Sequence, residues 1–304
     1  MKKFVSITKR NCLVYLRDRA AVFFSMLAML IVLMLMGVFL GNMNEENIVN
    51  LLKEYGGVRD TVLDQQHARE LVQYWTLAGI LVVNAVTVTL SVVGSRVTDN
   101  SEGKLASFYS APVSRNIIAL SYVTSAALIG IFMCLLTLAI ALCYIAATGG
   151  TMLGCRALAE IFLLIVLNVC IFSILMYLLA LFIKSSSAWS GIATVVGTLV
   201  GFVGAIYLPM GYLPDGVAAA LKCLPILHGA SLLREVCCAG VLEKTFAGLP
   251  AQVPSEYKEY MGIRVEMGGQ IISGAYQVLF LVGCGILAFV IIAFVQNRKS
   301  ISDR

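Results

Sequence analysis

Residues 71–115 read LVQYWTLAGILVVNAVTVTLSVVGSRVTDNSEGKLASFYSAPVSR. The first part, Leu71–Gly94, is 24 residues without Lys or Arg. As a helix rising ~1.5 Å per residue it reaches about 36 Å, more than the ~30 Å of a bilayer's hydrocarbon core. The second part, Thr98–Arg115, is polar, bears charges of both signs and holds one of only six prolines. Glu102 and Lys104 would each cost roughly 2.5–3.5 kcal/mol at the bilayer centre, so this segment lies outside hydrocarbon. A membrane crossing that runs into an ordered aqueous loop sets the pattern for the whole chain.

Five further runs lack Lys and Arg: Ala20–Gly41, Ile117–Ala147, Ala157–Ile183, Ala188–Leu213 and Ile271–Val295, none shorter than 22 residues. Apolar residues make up 60% of the chain, charged ones 13%, and the mean hydropathy is +0.90. A soluble domain carries about 25% charged residues, so this chain lacks the polar surface to face water. The expectation is an all-α integral membrane protein with six spans. Pro214–Leu242 is also apolar, but charges and Pro225 interrupt it; it reads as a broken or re-entrant pair of short helices on the outer side. The first run is too long for a secretory signal core and lacks a small-residue cleavage site, so it reads as a true span.

Lys and Arg bias sets the orientation. With a cytoplasmic amino terminus, the inner segments hold 13 of the 22 basic residues and 4 of the 17 acids, for +9 inside and −4 outside. Both termini are therefore expected in the cytoplasm. In the first 19 residues Lys3, Arg10 and Arg17 recur on one stripe and Phe4, Ile7 and Val14 on another. That pattern predicts an amphipathic helix on the inner leaflet, its basic face toward anionic headgroups. Outside, Asn42–Glu70 predicts two short surface helices broken at Gly56-Gly57, and Glu243–Gln270 a small polar cap with little core of its own. The chain, residues 1–304, reads as one membrane domain.

Within the opening loop, Asp99, Asn100 or Ser101 is placed to cap a helix whose first turn holds Glu102. Leu105, Phe108 and Tyr109 follow at i, i+3 and i+4, Pro112 ends the helix, and Ser114 caps the next span. A short surface helix with an aromatic face suits either docking of a cytoplasmic partner or rest on the inner headgroups.

The stretch SEGKLASFYSAPVSR resembles the E-x-G-[TK]-L-x-x-[FL]-x-x-[AS]-P-[VI]-S-R segment after the second span of ABC type-2 transporter permeases. A second block, YLPMGYLPDGVAAALKCLPILHGASLLRE, is similar to that family's segment after the fifth span, through Pro209, Leu213-Pro214, Leu224-Pro225 and Arg234. The resemblance implies the membrane subunit of a bacterial multidrug-type exporter in the cell membrane, working as a homodimer with cytoplasmic ATP-binding subunits. It also implies a coupling helix between spans two and three, assigning Glu102, Gly103, Leu105, Phe108, Pro112 and Arg115 to the ATPase contact. The chain has no G-x-x-x-x-G-K-[ST] loop, so ATP and Mg belong to the partner and no cofactor or metal is expected here. No nucleic-acid partner is expected.

Thr76, Asn84, Thr87 and Ser91 fall near one stripe of span two, as interhelical hydrogen-bonding groups or as the lining of a path. Asn168 in span four has the same two readings. Gly197 and Gly201 form a G-x-x-x-G suited to close packing within the subunit or at a dimer seam. Met26, Met29, Met34 and Met36, with Phe23 and Phe24, make span one an adaptable apolar surface that core and lipid contacts also explain. The nine cysteines show no metal-like spacing and read as buried, inert thiols.

Two rival classes are weaker, and a third is harder to exclude. An ion-coupled transporter needs a mid-membrane ionisable group; Glu160, the nearest, pairs with Arg156 at i,i+4. An intramembrane hydrolase lacks HExxH and GxSG, and the two histidines, His67 and His228, sit far from Ser190. A non-transporting sensor or immunity module on the same scaffold would keep the same ATPase contact. The apolar first span leans the expected cargo toward hydrophobic drugs, amphipathic peptides or lipids.

Overall fold

In the computed structural model, residues 2–35, 41–56, 60–110 and 113–302 are described. Twelve α-helices are present among them: α1 Lys2–Arg17, α2 Arg19–Leu35, α3 Gly41–Gly56, α4 Thr61–Ser101, α5 Lys104–Ser110, α6 Arg115–Ala147, α7 Cys155–Phe182, α8 Ser186–Val203, α9 Asp215–Lys222, α10 Pro225–Thr245, α11 Gln252–Tyr260 and α12 Gly274–Ser302. A hairpin of β1 Glu266–Met267 and β2 Gln270–Ile271 turns at Gly268 and Gly269, both at positive φ, as a two-residue hairpin turn requires.

The axis of the fold is α4. Its 41 residues run without a break, about 60 Å at ~1.5 Å per residue and twice a hydrocarbon core. Asp60 starts it, accepting from the amides of Val62 at 2.9 Å and Leu63 at 3.4 Å. This corrects two sequence expectations. The second of the outer surface helices is the first part of α4 itself, because nothing after Asp60 breaks the helix. At the other end, Asp99–Ser101 close α4 and do not open the next helix. Around α4 pack α6, α7, α8, α10 and, near its amino-terminal end, α3. Tyr74, Trp75, Leu77, Leu81 and Val86 are buried among them.

Among the described residues six helices are long and apolar enough to cross a membrane: α4, α6, α7, α8, α10 and α12. The number matches the sequence expectation but the set differs. The run Ala20–Gly41 is described as α2 only to Leu35, and α10 takes its place in the count. As predicted, Pro214–Leu242 is broken, with α9 and α10 meeting at Cys223-Leu224 and Pro225 in the first turn of α10. The backbone of α10 at Gly229 lies against Asn168, halfway along α7, while Lys244 Nζ donates to Thr151 Oγ1 at 3.4 Å in the α6–α7 turn. Thus α10 accompanies only the amino-terminal half of α7. Residue 204 ends α8 well before Leu213, the expected limit of that run, because Ile206 N folds back to Gly201 O at 2.8 Å.

As expected, Glu243–Gln270 has little core of its own: Phe246, Val253, Met261 and Ile263 pack into the main core, and Val265 joins a small cluster with Ala205, Met210, Leu221 and Leu227. Arg234 of α10 ties this region down. Fully buried, it donates to the carbonyls of Gly262 at 3.2 Å, Gly204 at 3.1 Å and Ala205 at 2.7 Å, and its guanidinium stacks 4.6 Å from the Trp75 ring. Irregular backbone at this depth has little water to bond, and one planar cation with five donors satisfies three carbonyls at once.

Candidate functional site at the hinge end of the bundle

The segment 98–115 folds as a hinge between two long helices. Glu102 closes α4, its amide returning to Thr98 O at 3.0 Å, and Gly103 then adopts φ +75. That left-handed backbone is the reason for glycine here, since a side chain would meet nothing within 4 Å but would be strained. The seven residues of α5 follow, and Ser114 accepts from Ile117 N at 3.4 Å to start α6, as expected.

The apolar face of α5 does not look outward. Leu105 is buried, and Phe108 and Tyr109 are half-buried against the core. Arg10 lies 5.5 Å from the Phe108 ring and Arg115 lies 4.4 Å from that of Tyr109. Water instead meets Glu102, Gly103, Lys104, Ala106, Ser107 and Ser110, with Glu102 and Lys104 paired to each other. Of the residues assigned to the ATPase contact, Glu102 and Gly103 are surface, Leu105 and Phe108 face inward, and Arg115 covers an aromatic ring. Pro112 lies outside the described residues.

Helix α1 also departs from its expected pose. Its buried stripe is polar, formed by Thr8, Asn11 and Tyr15, and packs on α6 and α4. Arg10 leaves the basic face predicted for headgroups and bonds Asp99 of α4, with Nη2 2.8 Å from Oδ1 and Nη1 against Oδ2. The Asp99 carboxylate accepts a third hydrogen bond from the Tyr122 hydroxyl of α6. Tyr122 stacks with Tyr177 of α7 at 6.4 Å; Tyr177 in turn accepts from Gln296 of α12 at 3.2 Å and lies beneath Arg96. One polar belt therefore joins α1, α4, α5, α6, α7 and α12 at a single end of the bundle.

Beside this belt opens a cleft of about 570 Å³ between α1–α2, α4 and α8. Thr87, Ser91 and Thr98 line its α4 wall, Trp189, Ser190 and Gly197 its α8 wall, and Arg10, Asp99 and Lys104 complete the lining. Trp189 fits the groove left by Gly94, where a Cβ would overlap the indole, and Ser101 and Ser186 hydroxyls meet at 2.8 Å. The sequence-selected polar residues thus divide. Thr87, Ser91 and Gly197 share the cleft, whereas Asn84 is buried and donates to Thr137 of α6. Gly201 is covered by the Tyr207 ring of the same chain, so that half of the G-x-x-x-G serves internal packing. Thr76 and Asn168 are buried away from the cleft, Asn168 donating to Leu164 O at 2.9 Å. Met34 is exposed and Met26 half-buried; the Met29 side chain and Met36 lie outside the described residues.

Sequence reasoning missed Trp189, Tyr122 and the Arg10–Asp99 pair. Opposite charges at the inner ends of two segments were the available signal, but no local spacing links positions so far apart in the chain.

No curated protein matches the chain. The ABC-2 type transporter family matches residues 2–237, which run from α1 through the hinge, the cleft and most of α10. This chain belongs to the ABC-2 type transporter family, as the multi-pass membrane permease of an ABC transporter.

Proposed function

We propose that the chain is the permease of an ATP-driven exporter that moves hydrophobic or amphipathic compounds (drugs, peptides or lipids) out of the cytoplasm or inner leaflet. The observation that carries this reading is the cleft beside the hinge: a mixed apolar and hydroxyl-lined space of about 570 Å³ whose lining also includes Arg10, Asp99 and Lys104. Its size suits a drug-like molecule, and its lining favours an apolar body with few polar groups.

On this reading a cytoplasmic ATP-binding subunit, which holds the ATP and Mg, docks on the exposed Glu102–Lys104 turn. Its closure tilts α5. Phe108 passes the tilt to Arg10, Arg10 to Asp99 and α4, and the Trp189–Gly94 contact carries it to α8. The two walls of the cleft then shift together. Two permease copies complete the passage, and the exposed apolar faces of α2 and α8 are their natural meeting surface. The amino-terminal helix and the last turns of α12 share the hinge end, consistent with both termini on the cytoplasmic side of a bacterial cell membrane.

The test is co-expression with candidate ATP-binding chains, followed by pull-down and ATP-dependent uptake into inverted vesicles. Ser91→Trp should reduce uptake at least tenfold while still recovering ATPase activity. The pair Glu102→Lys/Gly103→Pro should lose the ATPase. Recovery of no ATP-hydrolysing chain with the native permease would remove the energy source and sink the reading. ATPase recovery with no uptake of any lipophilic probe would favour the sensor alternative.

A further inference from the structure

A second cavity lies at the opposite end of the molecule, with no residue in common with the inner cleft. Helix α3 buries Ile48, Val49 and Leu52 against α4 and turns its other face toward α11 and the short 3-10 turn Met210–Tyr212. Between them is a space of about 500 Å³, within the range of drug-sized pockets. Two of its lining groups are buried polar atoms without a partner. Asn44 is only 4% exposed and its Nδ2 makes no hydrogen bond; the Tyr257 hydroxyl is likewise buried and unbonded. Leaving such groups unsatisfied is unfavourable; both residues line the cavity, with these two atoms closed off behind its wall.

The rest of the lining defines the complement. Tyr55, Tyr212 and Tyr260 present partly exposed rings, the last two meeting at 5.4 Å and 61° to form an angled notch. Glu256 is the one charged residue among the described lining residues, and it is an acid. Aromatic faces with a carboxylate and no cation attract positive charge, through ring quadrupoles and directly. The Asn44 amide N–H requires an oxygen acceptor.

We propose that this outer pocket binds an amphipathic organic cation that also carries an oxygen acceptor. Tyr212, Tyr260 and Glu256 hold the charge, while Asn44 and Tyr257, whose polar atoms must turn toward the space when it fills, bond the oxygen. A neutral sugar would use the rings and amides but would not need Glu256. The inference goes beyond the exporter reading and does not rest on it.

The probe is berberine, a fluorescent quaternary cation with ether oxygens, titrated into the full chain in nanodiscs with empty nanodiscs as blank. Saturable binding is expected, with Kd raised at least tenfold by Glu256→Gln and by Tyr212→Ala, and unchanged by Ser91→Trp. Both weakening variants alter exposed side chains, so folding is preserved; Asn44→Leu, the variant at risk of misfolding, is secondary. Absence of saturable binding overturns the proposal. So does equal affinity in both variants, or equal binding of the anionic dye 8-anilinonaphthalene-1-sulfonate. Loss of binding in Ser91→Trp alone would assign the probe to the inner cleft and overturn the outer site. Any of these failures leaves the exporter reading standing, because uptake and ATPase recovery test a different cavity.

Discussion

Arg10 of α1 and Asp99 of α4 form a two-point ion pair across 89 positions of sequence, and Tyr122 of α6 closes it from the third side. Asp99 is buried in this arrangement while about a third of the Arg10 side chain remains exposed. The pair stands between an exposed bridge, worth under ~1 kcal/mol, and a fully buried one whose breakage costs ~3–5 kcal/mol. Arg10→Ala should therefore lower stability by about 2 kcal/mol, mainly by stranding the Asp99 charge. Arg10→Ala/Asp99→Ala should lose less than Arg10→Ala and Asp99→Ala summed. Thermal unfolding of the four proteins in detergent completes the cycle; strict additivity would mean that the pair does not hold α1 to the bundle.

Gly103 offers a graded test of the hinge. Its φ of +75 is strained for any side chain, yet a Cβ meets nothing within 4 Å, so replacements act through backbone conformation alone. Asn tolerates the left-handed region better than Ala, and Val tolerates it least. Recovery of the ATP-binding partner should fall in the order Gly, Asn, Ala, Val, with a stability loss of only about 1–2 kcal/mol at Ala. Equal recovery across the series would separate the hinge conformation from docking.

How legible this was in the sequence depends on the range of the interaction. The crossing at 71–94, the break before Pro225 and the Ser114 cap are set by neighbouring residues, and each was readable. Helix limits failed where apolar composition ran past a backbone turn, as at Gly204 and Ala205, or where an uninterrupted helix outran its apolar run, as α4 does at both ends. The facing of Phe108 was misread because periodicity shows that a face is apolar but not which way it points. Arg10 decides that: seen alone it belongs to a basic stripe, and only the fold brings Asp99 and the Phe108 ring to it. Likewise Asn84 and Ser91 share a stripe in sequence, but α6 supplies Thr137 to one and the cleft is open to the other.

Arg234 tests whether the outer cap is held by one side chain. Three carbonyls from two separate loops depend on it, with the Trp75 ring beneath. Arg234→Leu strands those acceptors and should cost about 3 kcal/mol or more. Arg234→Lys keeps the charge but loses the planar fork, and should recover less than half of that. Limited proteolysis of the segment 246–273 reports the loss directly: both variants should be cut faster than the native chain, Leu most. A cap as resistant in Arg234→Leu as in the native protein would move the anchoring role to the Trp75 indole, which donates to Met261 O at 2.8 Å.

Glu259 of α11 gives the outer cap a pH dependence of predictable sign. Burial, then repulsion from Glu266, raise its carboxyl above the usual range, with Lys222 offsetting part of the effect. An acid whose folded pKa exceeds its unfolded value, about 4.3, binds more protons when folded. The cap is therefore least penalised below the unfolded value, loses stability as pH rises toward the folded value, and carries the full penalty above it. Glu259→Gln removes the charge and should slow hydrogen exchange in α11 at pH 7.5 but leave it unchanged near pH 4. The residue is mostly exposed, so the gain is expected to be small and confined to this cap. Faster exchange in the variant at pH 7.5 would show that the carboxylate is a net stabiliser, with Lys222 outweighing burial and Glu266.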